Sequence, residues 1–102
     1  MSADREVIER VSRMEGYLNE CAEATAALSA ELDRMNDLSD HMTDLFSYYG
    51  SNEWLDDRDA ELPADTPAGV LSEDLVYEQV MAVREAAFRM LELGTEILRD
   101  RI

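Results

Sequence analysis

The chain has 102 residues, 24 acidic and nine basic, and a formal net charge of −15. A chain of this length forms one domain and buries about two-thirds of its unfolded surface, so we expect a second subunit to add to its stability. A hydrophobic content of 46% argues against disorder. The charge disfavours direct binding to nucleic acid or membrane and allows a partner with a basic surface.

No apolar run approaches the roughly 20 residues that span a bilayer, and the N-terminus lacks the features of a secretory signal. We therefore expect a cytoplasmic protein. The only cysteine, Cys21, has no partner for an internal disulfide, and we expect it to be a small buried apolar residue.

A heptad-like seam predicts a long first helix over about residues 4–49, with Asp4 or Ser2 as its N-cap. The seam consists of Val7, Val11, Met14, Leu18, Cys21, Thr25, Leu28, Leu32, Met35, Ser39, Met42, Phe46 and Tyr49. Unbroken, this helix would be about 70 Å long. Two alternatives stay open: a continuous helix that pairs with another subunit, or a helix broken near Met35, where Asn36 and Asp37 are good caps.

The middle of the chain is the most acidic part, since residues 31–65 carry eleven acids and two arginines. Gly50 is expected to end the first helix, and Ser51 to cap a short helix within an acidic loop over residues 50–72. Ser72 is expected to cap a second long helix from about Glu73 to Arg101.

The apolar stripe of this second helix is wide, because Tyr77, Met81 and Phe88 extend it, and we expect it to contact more than one helix. The pattern as a whole predicts an all-α fold with two long helices and coiled-coil-like packing. The expected arrangement is an antiparallel helical hairpin or a three-helix bundle, and a homodimer.

Two motifs point to a family. Leu45, Tyr48 and Tyr49 form Leu-x-x-Tyr-Tyr, and Gly69 to Asp74 read Gly-Val-Leu-Ser-Glu-Asp. In these motifs the chain resembles a family of small bacterial proteins, about a hundred residues long, that has no known function. Ala68 departs from the family pattern, which has arginine there, and the loop before it is shorter. The resemblance implies a helical fold and no particular activity.

The aromatic cluster Phe46, Tyr48, Tyr49 and Trp54 allows two interpretations. Such residues beside a helix end usually close the end of a helical core, with hydroxyls and the indole N–H reaching carbonyls or acids. Alternatively they form an exposed patch for a protein partner.

Enzyme chemistry finds little support in the sequence. His41 is the only histidine, and its neighbour Asp37 at i,i+4 is expected by chance in so acidic a chain. No Cys-x-x-Cys, phosphate loop or His-Glu-x-x-His is present. We expect no catalytic residues, no metal and no cofactor.

The sequence thus predicts a small acidic, non-catalytic protein-interaction protein. The alternative is a nucleic-acid mimic that inhibits a DNA- or RNA-binding protein, of the kind that phages and mobile elements use against host defence. It rests on acids that share one helix side at a spacing of about 5.5 Å, close to that of phosphates. The candidate partner-binding residues are Asp33, Asp37, Asp40, Asp44, Tyr48, Tyr49, Trp54, Asp56 and Asp57.

Overall fold

The computed structural model describes residues 4–102, and every regular element in that range is a helix. The predicted all-α class is confirmed. The α-helices are α1 (Arg5–Asp37), α2 (Ser39–Tyr48), α3 (Asn52–Asp59) and α4 (Glu73–Glu96). A 3-10 turn, Gly69–Leu71, precedes α4, and a π turn, Ile97–Arg101, follows it. The chain divides into two units between Asp40 and His41.

The first unit is dominated by α1. Asp4 caps it, because its carboxylate accepts a hydrogen bond from the backbone N–H of Glu6 at 3.2 Å. The other predicted cap, Ser2, lies outside the described residues. The apolar side chains of α1 before Met35 are exposed, as is Cys21, which we expected to be buried. Periodicity identifies one face of a helix as apolar but does not say what covers it.

The first helical pattern is interrupted at Leu38. The regular helix continues through Met35 and Asn36 to Asp37, and α2 begins two residues later at Ser39. The hydroxyl of Ser39 donates to the carbonyl of Asn36 at 2.7 Å. A side-chain bond of this kind satisfies one of the carbonyls that a helix end leaves without an intrahelical partner.

The second unit is built from most of α2, from α3 and α4, and from the turns between them. Gly50 has a φ of 77°, a left-handed conformation that an L side chain rarely adopts, and it lets the chain turn after α2. Ser51 caps α3 by accepting from the backbone N–H of Trp54 at 3.2 Å. Ser72 caps α4 by accepting from the N–H of Leu75 at 3.4 Å. The predicted roles of Gly50, Ser51 and Ser72 are confirmed.

The loop between α3 and α4 is acidic and exposed. The loop contains a turn that is closed by a backbone hydrogen bond, in which the N–H of Thr66 donates to the carbonyl of Pro63 at 3.0 Å. The 3-10 turn then brings the chain to Ser72. None of the helices described here is long and apolar enough to cross a membrane.

Candidate interaction surfaces

The buried side chains of the second unit, among those described, are Trp54 on α3 and Val76 on α4, which are 3% and 5% exposed. The indole Nε1–H of Trp54 donates to the backbone carbonyl of Val70 at 2.9 Å. This bond satisfies the polar atom of a large buried ring and ties α3 to the 3-10 turn. Trp54 therefore belongs to the core and not to an exposed surface for a partner.

Two further side chains surround the Trp54 ring. Tyr49 packs against it edge to face, with ring centroids 5.3 Å apart and an interplanar angle of 69°. The guanidinium of Arg58 lies 5.0 Å from the ring centroid, and its Nη1 also donates to the carboxylate of Glu73 at 3.1 Å. Aromatic pairs and cation–π contacts of this geometry are attractive. Arg58 thus links α3 to the first turn of α4, a role that the sequence pattern did not reveal.

The hydroxyls of Tyr48 and Tyr49 both donate hydrogen bonds. Tyr49 donates to the backbone carbonyl of Glu73 at 3.2 Å, and Tyr48 donates to the carboxylate of Asp57 at 2.6 Å. The bond to Asp57 raises the pKa of Tyr48 to about 12, with smaller contributions from desolvation and from the charges of Asp57 and Glu53. Both rings are half-buried. The interpretation in which the aromatic residues close the end of a helical core describes this site, which we call the aromatic plug (Tyr48, Tyr49, Trp54 and Arg58).

The residues of the two motifs serve the aromatic plug. Tyr48 and Tyr49 belong to the first motif. In the second, Val70 supplies a carbonyl, Ser72 caps α4, and Glu73 supplies both a carbonyl and a carboxylate. These contacts give the motif residues a structural role in joining α2, α3 and α4.

The other predicted partner-binding residues are exposed acids. Asp33 and Asp37 lie on α1, Asp40 and Asp44 lie on α2, and Asp56 lies on α3. The interruption at Leu38 means that the acids expected along one continuous helix form two pairs, each at an i,i+4 spacing. Asp44 and Tyr48 line a shallow groove of about 460 Å³ beside the start of α3. In the part of the chain that the structure describes, no group of three His, Cys, Asp or Glu side chains is placed to hold a metal ion.

A larger groove, of about 650 Å³, follows one side of α4. Its apolar part is formed by Tyr77, Met81 and Phe88, which are 57%, 45% and 52% exposed. The guanidinium of Arg84 lies 5.2 Å from the centroid of the Phe88 ring. We expected this wide stripe to pack against more than one helix, whereas these three side chains are exposed. We call the surface formed by Tyr77, Met81, Arg84 and Phe88 the α4 face.

The fold and these surfaces define a small, acidic, all-α protein with exposed apolar helix faces. Residues 11–93 match the model of a family described as a domain of unknown function, DUF4298, and the chain belongs to that family. The expectation of a family of unknown function is confirmed, while its two motifs and its bacterial origin stay predictions. No curated protein and no solved structure matches the chain.

Proposed function

We propose that the protein is a small acidic interaction protein without catalysis, which binds a protein partner through the α4 face. The observation that carries this proposal is the exposure of Tyr77, Met81 and Phe88 on one side of a well-formed helix. Contiguous exposed apolar patches on soluble proteins usually mark binding sites. Tyrosine and arginine are also the residues that most often anchor protein interfaces.

The charge of the protein indicates the chemistry of the partner. The net charge is −15, and the groove beside the apolar side chains is lined by three glutamates and two arginines, Glu78, Glu85, Glu92, Arg84 and Arg89. A partner with a basic rim around an apolar centre complements this arrangement, and its association is accelerated by long-range attraction. The same charge opposes direct contact with nucleic acid or an anionic membrane surface.

A non-catalytic role is supported by the inventory of groups that do chemistry. His41, the only histidine, is exposed on α2, and Cys21, the only thiol, is exposed on α1. General acid–base or nucleophilic catalysis needs such groups held beside a partner that activates them.

The nucleic-acid mimic is the second candidate. It is favoured by the exposure of all four aspartates, Asp33, Asp37, Asp40 and Asp44, in the described structure. These four aspartates form two pairs, each at an i,i+4 spacing, one on α1 and one on α2.

The α4 face is tested with the full-length chain in its own cell, by crosslinking wild-type protein and two variants to their neighbours. Phe88→Glu places a charge in the α4 face. Gln79→Glu adds the same charge to an exposed position on the other side of α4. We expect the same partner to be captured by the wild type and by Gln79→Glu, and to be lost with Phe88→Glu.

Circular dichroism of both variants controls for folding. A partner retained by a folded Phe88→Glu chain contradicts the proposal. Binding of the captured partner to the purified protein should also weaken as salt increases, because the attraction between exposed charges is screened within about 10 Å at 0.1 M salt.

A further inference from the structure

The apolar seam of α1 is exposed and follows a heptad-like repeat along most of the helix. Its side chains recur at alternating steps of four and three from Val7 to Leu32, and Leu18 near the centre is 60% exposed. Over the length of α1, Met35 is the one described residue that is partly buried. A seam of this period fits another helix of about equal length, because knobs-into-holes packing needs the same repeat on both sides.

We propose that the seam of α1 binds α1 of a second copy of the chain, antiparallel, about a two-fold axis between Asn19 and Glu20. The proposal goes beyond the interaction function above and uses a different helix, so the two can fail separately. Three properties of α1 select this arrangement: the sizes of its seam residues, the pairs of charges beside the seam, and the distribution of charge along the helix.

The sizes of the seam residues match in the two central layers. About this axis, Leu18 lies opposite the partner's Cys21, and Met14 lies opposite the partner's Thr25. Each layer therefore combines a long side chain with a short one. A parallel, in-register pair instead stacks Cys21 on the partner's Cys21 and Thr25 on the partner's Thr25, which leaves two narrow layers at the centre. Such under-filled layers are destabilising.

The two outer layers follow the same rule. Val7 lies opposite the partner's Leu32, and Val11 lies opposite the partner's Leu28. All four layers, each present twice by symmetry, then have similar volume. The pairing spans most of α1, about 38 Å of helix from Val7 to Leu32 at 1.5 Å per residue.

The side chains that flank the seam are compatible with this register. Arg10 lies beside the partner's Glu31, an opposite-charge pair that occurs twice in the dimer. Tyr17, which is exposed in this structure, lies over the partner's Ala24. A parallel pair also has one attractive contact, between Arg10 and the partner's Glu15, so the flanks alone do not choose the direction.

The distribution of charge along α1 favours the antiparallel direction. Residues 5–19 carry three arginines and three glutamates, whereas residues 20–37 carry five acids and one arginine. A parallel pair brings the two acidic halves together, and an antiparallel pair places each acidic half against the half that carries most of the arginines. Opposed helix dipoles add to the same preference.

Charge reversal tests both the dimer and its direction in the full-length chain, with the dissociation constant measured by sedimentation at several concentrations. Arg10→Glu and Glu31→Arg should each weaken the dimer about five- to tenfold, because each turns two attractive pairs into repulsive ones. The double variant should recover most of the wild-type affinity. In a parallel dimer Glu31→Arg changes little and the double variant stays as weak as Arg10→Glu, which contradicts the proposal.

A second pair of variants tests the seam itself. Leu28→Asp places a charge in the seam and should make the chain monomeric, whereas Ala30→Asp adds the same charge on the outer side of α1 and should leave the dimer intact. Circular dichroism checks that both variants stay helical. The proposal is overturned if the wild-type chain is monomeric at every concentration, whatever covers the seam. It is also overturned if the Leu28→Asp chain still forms the dimer.

Discussion

Trp54 and Val70, sixteen residues apart in sequence, are joined by a hydrogen bond of 2.9 Å from the indole N–H to the backbone carbonyl. This bond holds the first turn of α3 against the turn that precedes α4, and it gives the indole N–H of a buried ring a hydrogen-bond partner. Arg58 extends the link by contacting the ring of Trp54 and the carboxylate of Glu73. The geometry of the second unit therefore depends on one aromatic residue.

Replacing Trp54 should loosen the second unit in two steps. Trp54→Phe keeps most of the apolar area but leaves the Val70 carbonyl without its donor, and should cost about 1–3 kcal/mol. Trp54→Ala also creates a cavity, and should cost about 3–5 kcal/mol. The free energy of opening is measured by native-state hydrogen exchange of amides in α3 and the first turns of α4.

The neighbouring Leu55, which is exposed, provides the control. Leu55→Ala should lower the free energy of opening much less than Trp54→Ala does, because the side chain of Leu55 buries less surface. Equal effects of Trp54→Ala and Leu55→Ala would show that the ring does not hold α3 to α4.

The helix boundaries of the second unit were predictable because they depend on local chemistry. Gly50, Ser51 and Ser72 act within one turn of themselves, and the residue type alone indicates the role. The partners of Tyr48 and Arg58 were not predictable. Many acids lie within reach of each in sequence, and only the folded chain shows that Asp57 and Glu73 are the ones in contact.

The exposed helix faces show a second limit of sequence reasoning. The seam of α1 and the stripe of α4 both follow from periodicity, but a period gives only the direction in which apolar side chains point. Whether another element of the chain, a second copy or a different protein covers them is a question of tertiary and quaternary contacts. For this reason Cys21 and Phe88 were expected in contact with other helices and are exposed.

The bond between Tyr48 and Asp57 predicts a distinctive alkaline titration. The pKa of Tyr48 is raised from 10.0 to about 12, mainly because the hydroxyl donates to the Asp57 carboxylate. Its stabilising effect is therefore fully present below pH 10 and is lost as the pH rises through about 12. Ultraviolet titration of the four tyrosines should show one group that ionises near pH 12.

Two variants assign this late step. Tyr48→Phe should remove it, and Asp57→Asn should move it back towards the ordinary tyrosine pKa, because both the charge and the strong acceptor are lost. Tyr17, which is exposed on α1, serves as the control, and Tyr17→Phe should leave the late step unchanged. A late step that persists in Tyr48→Phe contradicts the assignment.

The choice between an α4-face interaction and mimicry by acids is decided with two triple variants that change the net charge equally. The first converts Asp37, Asp40 and Asp44 to asparagine. The second converts Glu20, Glu23 and Glu61 to glutamine, three exposed acids outside both candidate surfaces. If the α4 face binds the partner, both triples should slow association by a similar factor of a few, because each removes three charges that attract it at long range, and dissociation should be unchanged. Association and dissociation rates are measured with the captured partner at two salt concentrations. If the protein is a mimic, the variant with three aspartates replaced should lose binding and the variant with three glutamates replaced should keep it. A mimic needs charges at fixed positions, whereas long-range attraction depends only on the net charge.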